Sequence, residues 1–235
     1  MSKPPVEPPA EPPLEPGKAL QHPEQFILEN TVLQTSPLVP EIKLHLASEM
    51  MPLWKLTEEE INDSGLPPPF WAFAWAGGQA LARFILDRPS VVHGKRCLDF
   101  AAGSGICAVA AMKSGARSAR ANDIDPISIA ATKLNAEANK VSVWLNPDDL
   151  VGQPSHGWDV VLAGDICYEQ PLAGQVEAWL KDLAKEGALV LLGDPGRTHL
   201  PKSGLEELAV YQVETTRELE DNDVRRTTVW RVLPD

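Results

Sequence analysis

The chain has 235 residues, 43% of them hydrophobic, and a formal net charge of −12. That length supports one sizeable core and not two. No apolar run reaches the ~18 residues of a membrane span, and the charge repels nucleic-acid phosphates in the absence of a concentrated basic patch. The densest basic pair, Arg225-Arg226, falls in a segment that reads as a strand. Basic or neutral partners are expected, with no nucleic acid, no membrane and a monomeric chain. The three cysteines, Cys97, Cys107 and Cys167, form no C-x-x-C pair. They read as small buried residues in a reducing compartment and exclude a disulfide framework or zinc site. The histidines at 22, 45, 93, 156 and 199 show no ligand spacing, so no metal is expected.

The N-terminus repeats one unit: Pro4-Pro5-Val6-Glu7, Pro8-Pro9-Ala10-Glu11, Pro12-Pro13-Leu14-Glu15. It has neither the apolar stretch of a secretory signal nor the Arg-rich, acid-poor composition of a presequence. Residues 1–18 are expected to be a disordered tail favouring polyproline II, in a cytoplasmic, bacterial protein. A single domain over 19–235 follows, with a helical extension at 19–69 and a core at 70–235.

Pro40 to Ala47 reads as a short helix with proline first and Glu41 in the first turn. Pro67-Pro68-Pro69 ends residues 61–69 as an extended approach. Residues 78–88 carry apolar residues at helical spacing, at Ala80, Leu81, Phe84 and Ile85. Strands and helices then alternate. Strands are expected at 95–100, 118–123, 141–145, 158–164 and 188–193. Helices are expected at 105–114, from Pro126 to Asn139 behind an Asp125 cap, and at 171–185. Segments 209–215 and 224–233 read as an antiparallel pair around a charged turn at Asp221-Asn222-Asp223. The pattern implies an α/β fold: a doubly wound, mostly parallel seven-stranded sheet with an antiparallel edge.

The first strand runs into Leu98-Asp99-Phe100-Ala101-Ala102-Gly103-Ser104-Gly105. Small residues there let the backbone approach a nucleotide-like ligand at the carboxyl ends of the strands. Asp123 ends the next strand, with 17 residues between it and Gly105, where an acid can accept from ribose hydroxyls. Gly103-x-Gly105-x-x-Ala108 also satisfies a loose dinucleotide fingerprint, which leaves an NAD-binding oxidoreductase as an alternative. Asp99 favours S-adenosylmethionine, because a carboxylate can hold the cationic amino group of its methionine part and would repel a pyrophosphate. Asp148 and Asp149 follow the third strand, where one of them could accept from an adenine amino group.

Gly164-Asp165-Ile166-Cys167-Tyr168 follows the fourth strand. Asp165-x-x-Tyr168 resembles the D-x-x-Y motif of the seven-β-strand protein-lysine methyltransferases. The segment from Pro69-Phe70-Trp71-Ala72-Phe73-Ala74-Trp75 through Ala76-Gly77-Gly78-Gln79 to Arg83 narrows the resemblance. So do Ala121-Asn122-Asp123-Ile124-Asp125-Pro126, Gly193-Asp194-Pro195-Gly196-Arg197 and Thr227-Thr228-Val229-Trp230. Together these resemble the electron transfer flavoprotein β-subunit lysine methyltransferases, a class I S-adenosylmethionine-dependent family, over about residues 35–232. The family often has proline where Ala76 stands and glycine near Ala101.

The resemblance implies methyl transfer from S-adenosyl-L-methionine to a lysine of the electron transfer flavoprotein β subunit. Another protein, such as a ribosomal one, or a small amine is the alternative substrate. It implies a cofactor pocket from Trp75, Gly77, Gly78, Gln79, Asp99, Ala101, Gly103, Asp123 and Gly164, with Asp165 and Tyr168 as catalytic residues at the substrate lysine. Asp194 and Arg197 are expected to pair with each other. Trp71 reads equally as ligand or core. Methyl transfer needs a neutral amine, and Asp165 near a lysine of ordinary pKa about 10.4 would oppose loss of its proton. Asp165 is therefore expected to aim the ammonium more than to act as its base, and Tyr168 to offer its ring or hydroxyl to the cation.

Overall fold

The computed structural model describes residues 16–47, 68–215 and 224–234. The proline repeat, residues 61–67 of the expected extended approach and the turn at 221–223 lie outside the described residues.

The centre is a seven-stranded sheet. Its strands are β3 (Arg96–Phe100), β4 (Ser118–Asn122), β5 (Trp144–Asn146), β6 (Val160–Gly164), β7 (Leu189–Asp194), β8 (Leu205–Glu214) and β9 (Val224–Val232), in the order β5-β4-β3-β6-β7-β9-β8. The first five are mutually parallel, and β9 runs antiparallel to both β7 and β8. The strand order reverses between β3 and β4 on one side and β6 on the other, which opens a crevice at their carboxyl ends.

Burial on both faces explains the near-continuous apolar runs. In β6, Val160 and Leu162 face one cluster with Cys97, Ala119, Ala121 and Leu191. Val161 and Ala163 face the other, with Leu98, Val190 and Leu192. Helices α3 (Ala76–Asp87) and α4 (Ile106–Lys113) cover the first face. Helix α6 (Leu172–Lys185) covers the second through Ala173, Val176, Trp179, Leu180 and Leu183, one helical stripe. Helix α5 (Pro126–Ala138) starts as the sequence suggested: Asp125 accepts from the N–H groups of Ile127 and Ser128, and proline takes the first position.

The N-terminal region departs from expectation. Helices α1 (Pro16–Gln21) and α2 (Pro23–Asn30) precede a hairpin of β1 (Val32–Ser36) and β2 (Val39–Leu46). The segment read as a helix from Pro40 is therefore a strand. Its buried residues, Ile42, Leu44 and Leu46, alternate with period two, a signal that outweighs proline and an early glutamate. The free edge of β2 is covered by helix α5: His45 N–H donates to Asn135 Oδ1 at 2.7 Å and Lys43 N–H to Asn139 Oδ1 at 3.0 Å. That satisfies edge donors that would otherwise invite another strand. The start of the expected 141–145 strand is spent on closing α5, because Val141 N–H donates back to Ala136 O, and β5 is confined to Trp144–Asn146.

Trp71 belongs to the core. It is 1% exposed and packs with Ala19, Phe26, Ile27, Ile127, Ala130 and Ala131. The tail boundary expected at residue 18 thus falls inside α1, whose Ala19 is already buried. Ile27→Ala, at a fully buried site, should destabilise the protein by about 2–5 kcal/mol, read from denaturant unfolding. An unchanged midpoint would mean that α2 contributes nothing to the fold.

Candidate active site

Positive backbone angles build the glycine loop. Ala101 has φ 52°, Gly103 φ 51° and Gly105 φ 74°. Ala101, where the resembled family often has glycine, is a non-glycine residue in the left-handed region. At Gly105 a side chain would press on Thr132, with a Cβ 2.6 Å from Thr132 Cγ2. Helix α5 supports the loop from below: Asn135 Nδ2 donates to Ser104 O and Thr132 Oγ1 to Gly103 O.

Asp123 and Asp99 serve this loop differently. Asp123 is half-buried. Its Oδ2 accepts from Gly103 N–H at 2.8 Å and its Oδ1 from Asp125 N–H at 3.0 Å. Burial raises its carboxyl pKa, and those backbone donors oppose the rise. One lone pair on each oxygen remains for a ligand hydroxyl. Asp99 is 3% exposed, and its Oδ2 accepts from Ala108 N–H at 2.8 Å, in the first turn of α4. Burial, with a further contribution from the Asp123 charge, pushes it up to about 8. Asp99 therefore ties strand to helix beneath the loop.

Two glycine pairs bring α3 onto the strand ends. A Cβ on Gly77 would lie 2.2 Å from Gly193 O, and one on Gly164 would lie 2.9 Å from Gly78 N. Gly77 and Gly78 are buried and Gly164 half-buried. Their small size serves backbone-to-backbone contact, not the lining of an open pocket. Gln79, 3% exposed, donates through Nε2 to Ala74 O, while its Oε1 is buried without a hydrogen-bond partner.

This approach delivers the N-terminus of α3 to Asp165. Gly78 N–H, unpaired within the helix's first turn, donates to Asp165 Oδ2 at 3.0 Å. Asp165 Oδ1 accepts from Arg197 Nη2 at 2.8 Å and Nε at 3.2 Å. The Asp165 side chain is 9% exposed and its φ is 56°. Burial pushes its carboxyl up to about 6, and Arg197 pulls against that rise. Asp194, expected to pair with the Arg197 side chain, instead fixes its backbone. Asp194 Oδ1 accepts from both Gly196 N–H and Arg197 N–H at 2.7 Å.

An aromatic wall stands beside this ion pair. Arg197 Cζ lies 5.6 Å from the Trp75 ring centroid. Trp75 packs against Phe70 at 6.0 Å and Phe73 at 5.8 Å, and Phe70 against Tyr168 at 5.5 Å. Tyr168 is 42% exposed. The structure thus joins Trp75, Asp165 and Tyr168 in one cluster, and Ala101, Gly103 and Asp123 in another across the crevice. Phe70 and Phe73 were not assigned roles from sequence, and Arg197 was given only a pairing with Asp194. The arginine three residues after Asp194 was visible there, but its partner is 32 residues away and is set only by the packing of β6 against β7.

Comparison with known proteins identifies the family and the fold. A family model described as Ribosomal protein L11 methyltransferase (PrmA) matches residues 80–193. The electron transfer flavoprotein beta subunit lysine methyltransferase of Danio rerio is 38% identical over 215 residues, spanning 88% of this chain and 82% of that protein. The Homo sapiens protein of the same name is 38% identical, spanning 89% of this chain and 81% of its own length. The crystal structure of a protein assigned as a methyltransferase and complexed with SAH shares the fold, with a TM-score of 0.51 at 12% identity over 81% of this chain and 53% of that one. The extent and identity of these matches place the chain in the electron transfer flavoprotein beta subunit lysine methyltransferase family.

Proposed function

We propose that the protein transfers methyl groups from S-adenosyl-L-methionine to lysine of the electron transfer flavoprotein β subunit, the protein named in its relatives. The observation that carries this reading is the buried Asp165 carboxylate, whose guanidinium partner Arg197 lies by the Trp75 ring at one end of the aromatic cluster of Trp75, Phe70 and Tyr168. An anion beside π faces is a receptor for an amine cation. It opens onto the crevice where Asp123 and the glycine loop could hold a nucleoside.

The residues present fit that cofactor. Asp123 keeps acceptor capacity for two ribose hydroxyls. The unpartnered Gln79 Oε1 and the carboxylates of Asp123 and Asp165 make the surroundings favourable to a cation. S-adenosylmethionine supplies, when bound, an electrophilic methyl whose carbon–sulfur bond breaks with its electron pair retained by sulfur. The chain's own residues do the rest. Ala101 and Gly103 shape the loop, Gly77, Gly78 and Gly164 set α3 against the strand ends, and Trp75 flanks Arg197. Asp165 and Tyr168 align the lysine nitrogen, and most of the acceleration comes from positioning. The lysine proton leaves to water.

A ribosomal protein is the second reading, favoured by the PrmA match. That match ends at Gly193 and so includes Asp165 but omits its ion-pair partner Arg197. Among the described residues no helix is long and apolar enough to cross a membrane. The buried free cysteines support a reducing compartment. Relatives that span most of the chain include vertebrate and nematode proteins, which weighs against a bacterial source. The net charge of −12 supports a monomer acting on a basic or neutral protein surface, without nucleic-acid or membrane partners.

Incubation with labelled S-adenosylmethionine and either the flavoprotein β subunit or ribosomal protein L11, followed by mass spectrometry, tests the substrate. Label on L11 alone would replace the first reading by the second. Asp123→Ala should weaken cofactor binding by about 1.5–3 kcal/mol, the range for hydrogen bonds to a charged group, measured by calorimetry. Unchanged affinity would remove Asp123 from the cofactor site. Asp99 makes a separate prediction. Its folded-state value of about 8 exceeds the ~3.9 of an unfolded chain. The folded state therefore holds an extra proton between those values, and stability falls as pH rises through that window. Asp99→Asn keeps an acceptor for Ala108 N–H and has no proton to lose. Its melting temperature relative to wild type should climb from about pH 4 to about pH 8. Parallel curves would show that Asp99 is ionised throughout.

A further inference from the structure

Asp165 presents a difficulty to any lysine methyltransferase. A carboxylate captures an ammonium well, but its field holds the proton that must be lost before the nitrogen can attack. We propose that Arg197 is the charge-balancing positioning residue of this site. It stays on Asp165 while the substrate amine is bound, so that the carboxylate aligns the nitrogen without keeping it protonated. This rests on the lysine methyltransferase reading above.

The geometry divides the carboxylate in two. Two guanidinium nitrogens, Nη2 and Nε, donate to Oδ1, while among the described residues Oδ2 accepts from Gly78 N–H and keeps a lone pair for a second donor. An amine on that lone pair lies close enough to the guanidinium for like-charge repulsion to lower its pKa, opposing the effect of the anion. A guanidinium cannot itself give up a proton at working pH, so the balancing charge is permanent. It is also fixed in place. The Arg197 backbone N–H is held by Asp194, the guanidinium lies by the Trp75 ring, and the side chain is 19% exposed. Removing it would leave a buried carboxylate uncompensated, which is strongly unfavourable. Among the described residues, the titratable and charged groups that bear on Asp165 are Arg197 and Asp194 beyond β7, Cys107 on α4 and Cys167 in the following turn, with Tyr168 close enough to feel the Arg197 charge. From α3 it receives only a backbone N–H.

The proton balance is simple. The substrate ammonium releases one proton to water, its freed lone pair forms the new N–C bond, and Arg197 and Asp165 begin and end the turnover as an ion pair. Loss of the arginine charge should therefore make deprotonation harder while leaving capture intact.

The test is kcat and KM against pH, at saturating S-adenosylmethionine and flavoprotein β subunit, for wild type, Arg197→Gln, Arg197→Lys and Asp165→Asn/Arg197→Gln. Arg197→Gln should lose about tenfold in kcat near neutrality, equivalent to one pKa unit. It should recover as pH rises, with KM unchanged or lower. Arg197→Lys should hold the wild-type pH profile, and the double variant, neutral again, should shift back toward it. A loss in Arg197→Gln that is equal at every pH would mark a structural role and overturn the proposal. So would a lower KM at unchanged kcat, which would make Arg197 merely a competitor of the substrate. If Arg197→Gln does not fold, a displaced profile in Arg197→Lys overturns it equally. A second readout needs no substrate. Carbon-13 carboxyl NMR should show Asp165 titrating at higher pH in Arg197→Gln than in wild type, and coincident titrations would sink the pairing. A wild type that ignores the flavoprotein subunit would fail the substrate reading, leaving the NMR result to decide the pairing.

Discussion

The site depends on one close approach, the backbone of Gly77 against that of Gly193. A methyl group at either position would stand 2.2 Å from the other's carbonyl oxygen, far inside contact distance. Only because both lack a side chain can the first turn of α3 rest on the ends of β6 and β7. That placement aims Gly78 N–H and the positive end of the helix at Asp165. It also carries Trp75, the residue capping α3, to the flank of Arg197. The ion pair, the aromatic wall and the entrance of the crevice therefore share one mechanical origin.

Four carboxylates gather at these strand ends in an already acidic chain, and each is stabilised differently. Asp99 takes a helix N–H, Asp123 two loop N–H groups, Asp194 two N–H groups of the turn that follows it, and Asp165 a helix N–H plus a guanidinium. Burial lifts all four, as desolvation disfavours the ionised form. The one that also receives a full positive charge is the one placed among aromatic rings. That sets Asp165 apart from three carboxylates held chiefly by backbone N–H groups.

The central sheet was legible because its strands are short apolar runs punctuated by glycine and by the Asp125-Pro126 start of α5, signals that act locally. The hairpin was not. Pro40 and Glu41 suit a helix start, and the period-two burial of Ile42, Leu44 and Leu46 is meaningful only once β1 and the asparagines of α5 supply partners. The site was half legible in the same sense. Asp123, Asp165 and Tyr168 could be placed by their positions after strands. The roles of Gly77, Gly78 and Gly164 could not, because small residues that admit a ligand and small residues that admit another backbone look alike. Arg197 was assigned to Asp194, its neighbour in sequence, but that carboxylate is consumed by the backbone of the turn.

The same accounting decides between the two kinds of nucleotide that a glycine loop can serve. A dinucleotide pyrophosphate binds through free backbone N–H groups at the loop and the helix start. Here Gly103 N–H is given to Asp123 and Ala108 N–H to Asp99. Each of those donors thus arrives with a carboxyl group attached, and a phosphate would have to displace Asp123 or Asp99 to reach one. A ligand bearing ribose hydroxyls and a positive centre meets the opposite situation. The carboxylate that occupies Gly103 N–H still accepts hydroxyls, and the surrounding charge is attractive. A loop whose spacing alone fits both ligands is therefore committed to a cationic nucleoside by where its own N–H groups point.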